Sequence, residues 1–286
     1  MTVIKGASAA VTGAASGIGR ALALELAARG CDLALADRDE AGLKAVAAEI
    51  SQAHVRKVSV HRVDVSKPEQ VDEFAAAAIA AHPTLNIVIN NAGVAIIGQF
   101  RDIDQAQMDW LFDINFWGVV HSTRAFLPHL ERQREAHIAN LSSIFGLVAP
   151  PGQSAYSASK FAVRGFSESL RHELQTANSS VRLTVVHPGG VSSTSIARNA
   201  QTASGITDNT VRSVSIDRFE AMTRSSPEKA ARIIVDGIES NRLRILIGND
   251  ARFVDIIQRL RPGSYWAFLA KQVERRLTRK GLGLGY

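Results

Sequence analysis

The sequence predicts an α/β fold, a doubly wound parallel sheet of seven strands in a single domain, with a helical extension at its C-terminus. Three observations carry that expectation. Short apolar runs alternate with stretches of helical periodicity and good helix formers along most of the 286 residues. A glycine-rich loop stands between the first apolar run and the first helical stretch. No internal repeat and no low-complexity linker divides the chain.

The elements follow in order. SAAVT (8–12), DLALA (32–36), KVSVHRV (57–63) and NIVINN (86–91) read as strands. GIGRALALELAARG (17–30), EAGLKAVAAEISQ (40–52) and PEQVDEFAAAAIAAH (68–82) separate them as helices. Successive β-α units need right-handed crossovers, and these give a parallel sheet. The pattern continues with a long helical region over 104–132, the strand HIANLS (137–142), a helix over 155–175 and the strand RLTVVH (182–187). A polar stretch rich in Ser, Thr, Asn and Arg spans 192–225, and a loop of that length inside a compact domain is expected to serve as a substrate lid. PEKAARIIVDGIES (227–240) and RILIG (244–248) close the pattern as a helix and the last strand, so residues 1–250 form the expected catalytic domain.

Composition narrows the class. Hydrophobic residues make up 46% of the chain, enough for a sizeable core. The single cysteine, Cys31, excludes an internal disulfide framework and a cysteine-based zinc site, and its place before an apolar strand suits buried packing. No metal site is expected. The N-terminal segment lacks the pattern of a signal peptide and no apolar run has the length of a membrane span, so a cytoplasmic protein is expected. Eight of the 33 basic and two of the 27 acidic residues lie in 251–286, which leaves 25 of each in the first 250 and places the whole net charge of +6 in the extension. A neutral body disfavours nucleic acid as a partner.

Residues 12–19 read Thr12-Gly13-Ala-Ala-Ser16-Gly17-Ile18-Gly19 and lead directly into the first helix. Glycines there let the backbone turn sharply and approach a pyrophosphate, which the helix N-terminus favours. The second strand ends in Ala36-Asp37-Arg38. An acidic side chain at this point can accept both hydroxyls of an adenosine ribose and repels a 2′-phosphate, which favours NAD. Arg38 could pair with that phosphate and so favours NADP. The acid carries more weight, so NAD is the expected cofactor and NADP the alternative. Asp64, beside Val65, could accept from an adenine amino group, while Ser66 is the expected cap of the following helix. Asn90-Asn91-Ala92-Gly93 ends the fourth strand, where small residues let the chain pass close to a ribose and Asn90 is as suited to tying strands together. Farther along, Tyr156 follows Ser143 by thirteen residues and Lys160 follows Tyr156 by four, which puts phenol and ammonium on one helix face. A phenol beside a cation loses its proton more easily, so Tyr156 can serve as acid or base.

Taken in order, these elements resemble the short-chain dehydrogenase/reductase family over residues 5–250: the loop at 12–19, N-N-A-G at 90–93, Asn115 in N-F-W-G, Ser143, Y-S-A-S-K at 156–160 and P-G at 188–189. The resemblance implies a Rossmann-type fold and hydride transfer between a nicotinamide and a carbonyl or alcohol carbon. It implies Tyr156 as the acid/base, Lys160 lowering its pKa and holding the nicotinamide ribose, Ser143 orienting the substrate oxygen and Asn115 completing a proton relay. The cofactor would lie on Thr12, Gly13, Ser16, Gly17, Ile18, Gly19, Asp37, Arg38, Asp64, Val65, Asn91, Ala92 and Gly93, with Pro188, Gly189, Val191 and Thr194 at the carboxamide. Gly190 is an added glycine where many relatives carry a larger residue. By the same resemblance Ile96, Ile144, Phe145, Val148, Pro150 and Gln153 border the reacting carbon, with Ser143, Phe145, Gln153 and Tyr156 touching substrate. These loops are mostly apolar, with no evident Arg or Lys awaiting a carboxylate, so an apolar ketone or secondary alcohol is the expected substrate. His187 reads as structural. The family commonly forms tetramers through its two long helices, so a homo-oligomer, dimer or tetramer, is expected.

The extension, residues 251–286, lies beyond the resemblance. SYWAFLAKQVERRLTRK (264–280) reads as a basic amphipathic helix with Trp266, Leu269, Val273 and Leu277 on one stripe. Packing on its own subunit or a neighbour is favoured over an anionic membrane surface. Two other functions stay open at this point: a catalytically silent cofactor-binding scaffold, and a membrane-peripheral dehydrogenase of lipidic substrates.

Overall fold

Every predicted strand forms. The computed structural model describes residues 1–192, 196–208 and 210–278, and within a helix the side chains of 276 and 277 are left aside. The first half runs β1 (Ser8–Thr12), α1 (Gly17–Ala28), β2 (Asp32–Asp37), α2 (Glu40–Ala53), β3 (Val58–Arg62), α3 (Pro68–Ala81) and β4 (Leu85–Asn90). A two-residue strand β5 (Ile96–Ile97) leads to α4 (Gln105–Phe112) and α5 (Gly118–Leu130), then β6 (Ala136–Leu141), α6 (Ser154–Thr176) and β7 (Val181–Pro188). The last part holds β8 (Gln201–Thr202), α7 (Thr210–Met222), α8 (Pro227–Glu239), β9 (Arg244–Ile247), α9 (Asn249–Leu260) and α10 (Tyr265–Thr278).

Seven strands make one sheet in the order β3-β2-β1-β4-β6-β7-β9, every pair parallel. The order reverses between β1 and β4, and ligands of such sheets bind beyond the strand C-termini at that switch point. Both faces are buried, as a parallel sheet requires. Ala9, Val11, Leu33 and Leu35 join Leu22, Leu26, Ile234 and Ile238 of α1 and α8 on one side. Ala10, Ala34, Ala36 and Val88 join Phe74, Phe126 and Leu174 of α3, α5 and α6 on the other. The helix α8 shows the local logic. Pro227 opens it, the Ser226 hydroxyl accepts from the Lys229 N–H at 3.3 Å, and Ala230, Ala231, Ile234, Val235 and Ile238 are buried at helical spacing.

Three local expectations are corrected. The helical region over 104–132 is interrupted by a π-helical turn at Asp113–Trp117. Lys67, not Ser66, precedes α3 as its cap residue; the Ser66 N–H and hydroxyl instead donate to Asp64 Oδ1 at 3.0 and 2.7 Å. The Asp64 carboxylate thus takes the serine hydroxyl as a donor, where a cap would use it as an acceptor for a helix N–H. The stretch 192–225 is not all loop: it contains β8, which pairs with β5, and α7, which starts where Asp208 Oδ1 accepts from the Thr210 N–H at 2.8 Å. Its apolar residues are too few and too irregular to announce a helix, since none of α7 is fully buried. Beyond the last strand, α9 opens the C-terminal extension and is pinned to β9 by an ion pair between Asp255 and Arg244. Among the described residues, no helix is long and apolar enough to cross a membrane.

Candidate active site

A cavity of about 1710 Å³ opens at the C-terminal ends of the strands. At one end, the glycine loop forms its floor. Gly13 (φ +67°) and Gly17 (φ +55°) adopt the left-handed backbone that glycine alone takes easily. A Cβ on Gly13 would lie 2.8 Å from Asn91 Nδ2 and 2.9 Å from Ala92 Cα, so β1 and β4 close on each other only because that atom is missing. Ser16, Gly17 and Ile18 line the cavity at the N-terminus of the twelve-residue α1, where backbone N–H groups and the helix dipole favour an anion. Asp37 is half-buried at the end of β2. Its Oδ2 accepts from the Ala15 N–H of the glycine loop at 3.1 Å, and its Oδ1 accepts from the Asp39 N–H at 3.1 Å. Each oxygen keeps a further acceptor position for a hydroxyl. Arg38, Asp64, Val65, Asn91, Ala92 and Gly93 continue the same wall. The residues present therefore fit a dinucleotide: a cradle that side chains would fill, an anion-favouring helix end and a fixed carboxylate.

At the reacting end, three elements converge. Tyr156 and Lys160 stand one turn apart on α6, both buried. Ser143 caps a short turn after β6, its Oγ accepting from the Phe145 N–H at 3.1 Å, and it stands near enough to the Tyr156 phenol to act on its titration. Burial pushes the phenol up to about 12, against a smaller downward pull from Ser143. Burial also draws the Lys160 ammonium down to about 8. Desolvation of the enclosed ring is the larger of the two effects on the phenol. Lys160 Nζ donates to the Leu141 carbonyl at 3.1 Å and lies 5.7 Å from the Tyr156 ring centroid. The loop bearing Ser143 is held to α6 because the Ser142 hydroxyl donates to the Lys160 carbonyl at 2.8 Å, and Gly146 leaves room for that approach. His187 on β7 is fully buried, drawn down to about 4 by desolvation, and its Nδ1–H donates to the Ser143 carbonyl at 2.9 Å. It braces the serine loop, in line with a structural reading. Phe145 meets Tyr156 edge to face at 6.1 Å, and Ile96, Ile144, Val148, Pro150 and Gln153 share the lining.

Comparison with known proteins agrees with this geometry. Residues 7–205 match the short chain dehydrogenase family. The chain belongs to that family. It is 43% identical over 275 residues to the Mycobacterium tuberculosis protein named "Putative oxidoreductase SadH", covering 96% of this chain and 98% of that one. It is 31% identical over 271 residues to the dehydrogenase/reductase SDR family member 7B of Xenopus tropicalis, covering 93% of this chain and 85% of that one. Among solved structures, a short chain dehydrogenase/reductase from Burkholderia phymatum in complex with NAD superposes with a TM-score of 0.82 at 30% identity, over 91% of this chain and 95% of that one.

Within this short-chain dehydrogenase, three of the sequence-derived site residues stand behind the cavity wall. The Thr12 hydroxyl accepts from the N–H groups of Asn91 and Ala92 at 3.0 and 3.2 Å, tying β1 to β4. Gly19 packs against the loop itself: a Cβ there would lie 1.9 Å from the Gly13 carbonyl oxygen. Asn115, in the π-helical turn, is fully buried; its Nδ2 donates to the Val94 carbonyl at 3.0 Å and Ser159 Oγ at 3.1 Å, and its Oδ1 accepts from the Val94 N–H at 2.8 Å. Its side chain thus fixes the loop after β4 beside Gly93 and Lys160. Pro188, Gly189 and Val191 line the cavity, and Thr194 lies outside the described residues. Asn90 ties strands, donating to Asn140 Oδ1 at 2.8 Å.

The added glycine at 190 has a packing cause. Its N–H donates to Asp250 Oδ2 at 2.8 Å, and a Cβ would lie 2.8 Å from the Met222 carbonyl oxygen. Asp250, Met222, Arg218, Arg224, Arg101 and α10 also line this cavity; none is marked in the sequence, because each reaches it from a segment without a family motif. Gly19→Ala is expected to force the loop open: the added methyl costs about 1–3 kcal/mol of stability as overpacking, and cofactor affinity falls with it. Thermal denaturation and dinucleotide titration check both effects.

Proposed function

We propose that this oxidoreductase transfers a hydride between a nicotinamide and the carbonyl or secondary-alcohol carbon of a mostly apolar substrate. The observation that carries the reading is the buried set of Ser143, Tyr156 and Lys160, in one cavity with the glycine loop and Asp37. Ser16, Gly17 and Ile18 hold the pyrophosphate, Asp37 the adenosine ribose, Asp64 and Val65 the adenine, and Asn91, Ala92 and Gly93 pass beside the second ribose, with Pro188, Gly189 and Val191 at the carboxamide. The bound nicotinamide supplies or accepts the hydride. Tyr156 gives its phenolic proton to the carbonyl oxygen during reduction and takes a proton from the hydroxyl during oxidation. Ser143 donates a hydrogen bond to that oxygen and so fixes it within reach of the phenol. Lys160, charged below its pKa, stabilises the phenolate, and Asn115 holds the neighbouring loop in place. Support for an apolar substrate comes from Ile96, Ile144, Phe145 and Val148 around this point. A panel of alcohols and ketones followed by nicotinamide absorbance tests the reading; no turnover of any member, with the cofactor bound, would sink it.

NAD is the proposed cofactor, supported by the carboxylate of Asp37 and by the NAD bound to the Burkholderia relative. Asp37→Ser should remove the repulsion of a 2′-phosphate and leave Arg38 to pair with it. The ratio of kcat/KM for NAD over NADP is then expected to fall about ten- to a hundredfold, the size of a lost charged hydrogen bond. Wild-type protein that prefers NADP would overturn the assignment. A homo-oligomer is also proposed, supported by the exposed Trp117 and Phe161 next to α5 and on α6; light scattering that gives a monomer would refute it.

A further inference from the structure

The cavity is larger than hydride transfer to a small ketone needs. Small-molecule pockets span roughly 300–1,000 Å³. A dinucleotide filling the upper end of that range would still leave about 700 Å³ of the 1710 Å³ unclaimed. Beyond Tyr156, the walls come from segments that carry no catalytic motif. Ile206, Phe219 and Met222 stand on one side, from α7 and the loop before it; Trp266, Leu269 and Val273 of α10 also line the space. Most of these apolar side chains are only half-buried by the protein itself, so part of their surface still awaits a nonpolar contact.

The α10 wall is anchored to its own subunit. The Tyr265 hydroxyl accepts from the Ala149 N–H at 3.1 Å, which ties α10 to the loop that follows Ser143. Phe268 meets Phe253 of α9 at 6.3 Å, with the Arg261 guanidinium 5.8 Å from its ring. The expectation of an extension packed on the body thus takes a specific form, a helix joined to the substrate loop. Arg101, Arg224 and Arg275 on the lining are exposed and keep their charges hydrated, and Arg218 has a protein partner.

We infer that the compartment bounded by α7 and α10 binds the aliphatic chain of an elongated, uncharged ketone or secondary alcohol, whose oxygen lies at Tyr156. This rests on the alcohol–ketone reading of the site. The occupant follows from continuity: the compartment and the Ser143–Tyr156 pair share one cavity, so a molecule held at the phenol extends into it.

Calorimetric titration of 2-alkanones from six to twelve carbons into the full-length protein with oxidised cofactor tests the inference without any turnover. Full burial tightens binding by up to about fourfold per methylene, so Kd is expected to fall at least about fiftyfold across the series. Val273→Trp and, from the other wall, Met222→Trp should each flatten that dependence, and cofactor titration confirms that each variant is folded. A Kd that varies less than about threefold with length, or a length dependence that neither variant alters, overturns the compartment. Turnover is measured separately with reduced cofactor. Ketones that bind in proportion to length yet are never reduced would overturn the alcohol–ketone reading and leave the compartment standing.

Discussion

Tyr156→Phe is expected to lower kcat by about 10²–10⁴ while cofactor affinity stays near the wild-type value. The substitution keeps the ring, so the edge-to-face contact with Phe145 and the packing with Ile96, Leu111 and Ala155 persist. Only the hydroxyl is lost, and with it the pull that Ser143 exerts on the phenol. The loss strands no group at Ser143, because its Oγ still accepts from the Phe145 N–H. The pH profile separates acid/base loss from distortion. Burial holds the phenol up to about 12, so it is protonated throughout the neutral range. Carbonyl reduction needs that proton and is expected to stay flat through neutrality, falling only as the pH nears the phenol's pKa. Alcohol oxidation needs the phenolate and is expected to climb with pH over the same range. Both trends should vanish in the variant. Unchanged turnover would instead favour a scaffold protein in which Tyr156 merely fills the core.

The fold could be read from the sequence because its signals are local. Each strand is a short apolar run, and each helix of the first half has its own periodicity, so neighbours alone fix the element. The glycine loop was equally legible, since close approach to Asn91 and Ala92 leaves glycine as the only choice at Gly13. The chemistry was legible at Tyr156 and Lys160 because i,i+4 spacing on a helix is itself a geometric statement. Other features depend on distant partners. Thr12 looked like a ligand contact and proves to hold two backbone N–H groups of the next strand over. Gly190 looked like a change in the pocket and answers to Asp250, sixty residues away. The helix α7 lacks a buried stripe because it lines a cavity, so the pattern that announces a helix in a sequence was never required of it. Spacing shows the cation, but only the fold shows how completely the Tyr156 ring is shut away from water.

Lys160→Met should separate stability from activity. The buried ammonium donates to the Leu141 carbonyl, and desolvation is the cause of its downward shift to about 8. From 10.5 in the unfolded chain to about 8 in the fold, the charged form is disfavoured by about 3 kcal/mol. Below pH 8 both states carry the proton and the whole penalty stands. Between about 8 and 10.5 the unfolded chain holds a proton that the folded one has released, so stability rises with pH. Tyr156 opposes this only higher up: between about 10 and 12 the unfolded phenol ionises first, and stability falls. Methionine removes the buried charge at similar length and costs about 1–3 kcal/mol for the carbonyl it leaves without its donor. The variant is therefore expected to be no less stable than the wild type at pH 7, with a Tm equal or a few degrees higher, and to lose the wild-type gain in stability between pH 8 and 10. Its turnover should fall about a hundredfold or more, since the phenolate loses its only neighbouring charge on α6. Urea denaturation at pH 7, 8.5 and 10, beside initial rates, checks both halves. A variant that is clearly destabilised at pH 7 yet still active would show that the ammonium serves the fold, and Tyr156 would then need another source for the stabilisation of its charged form.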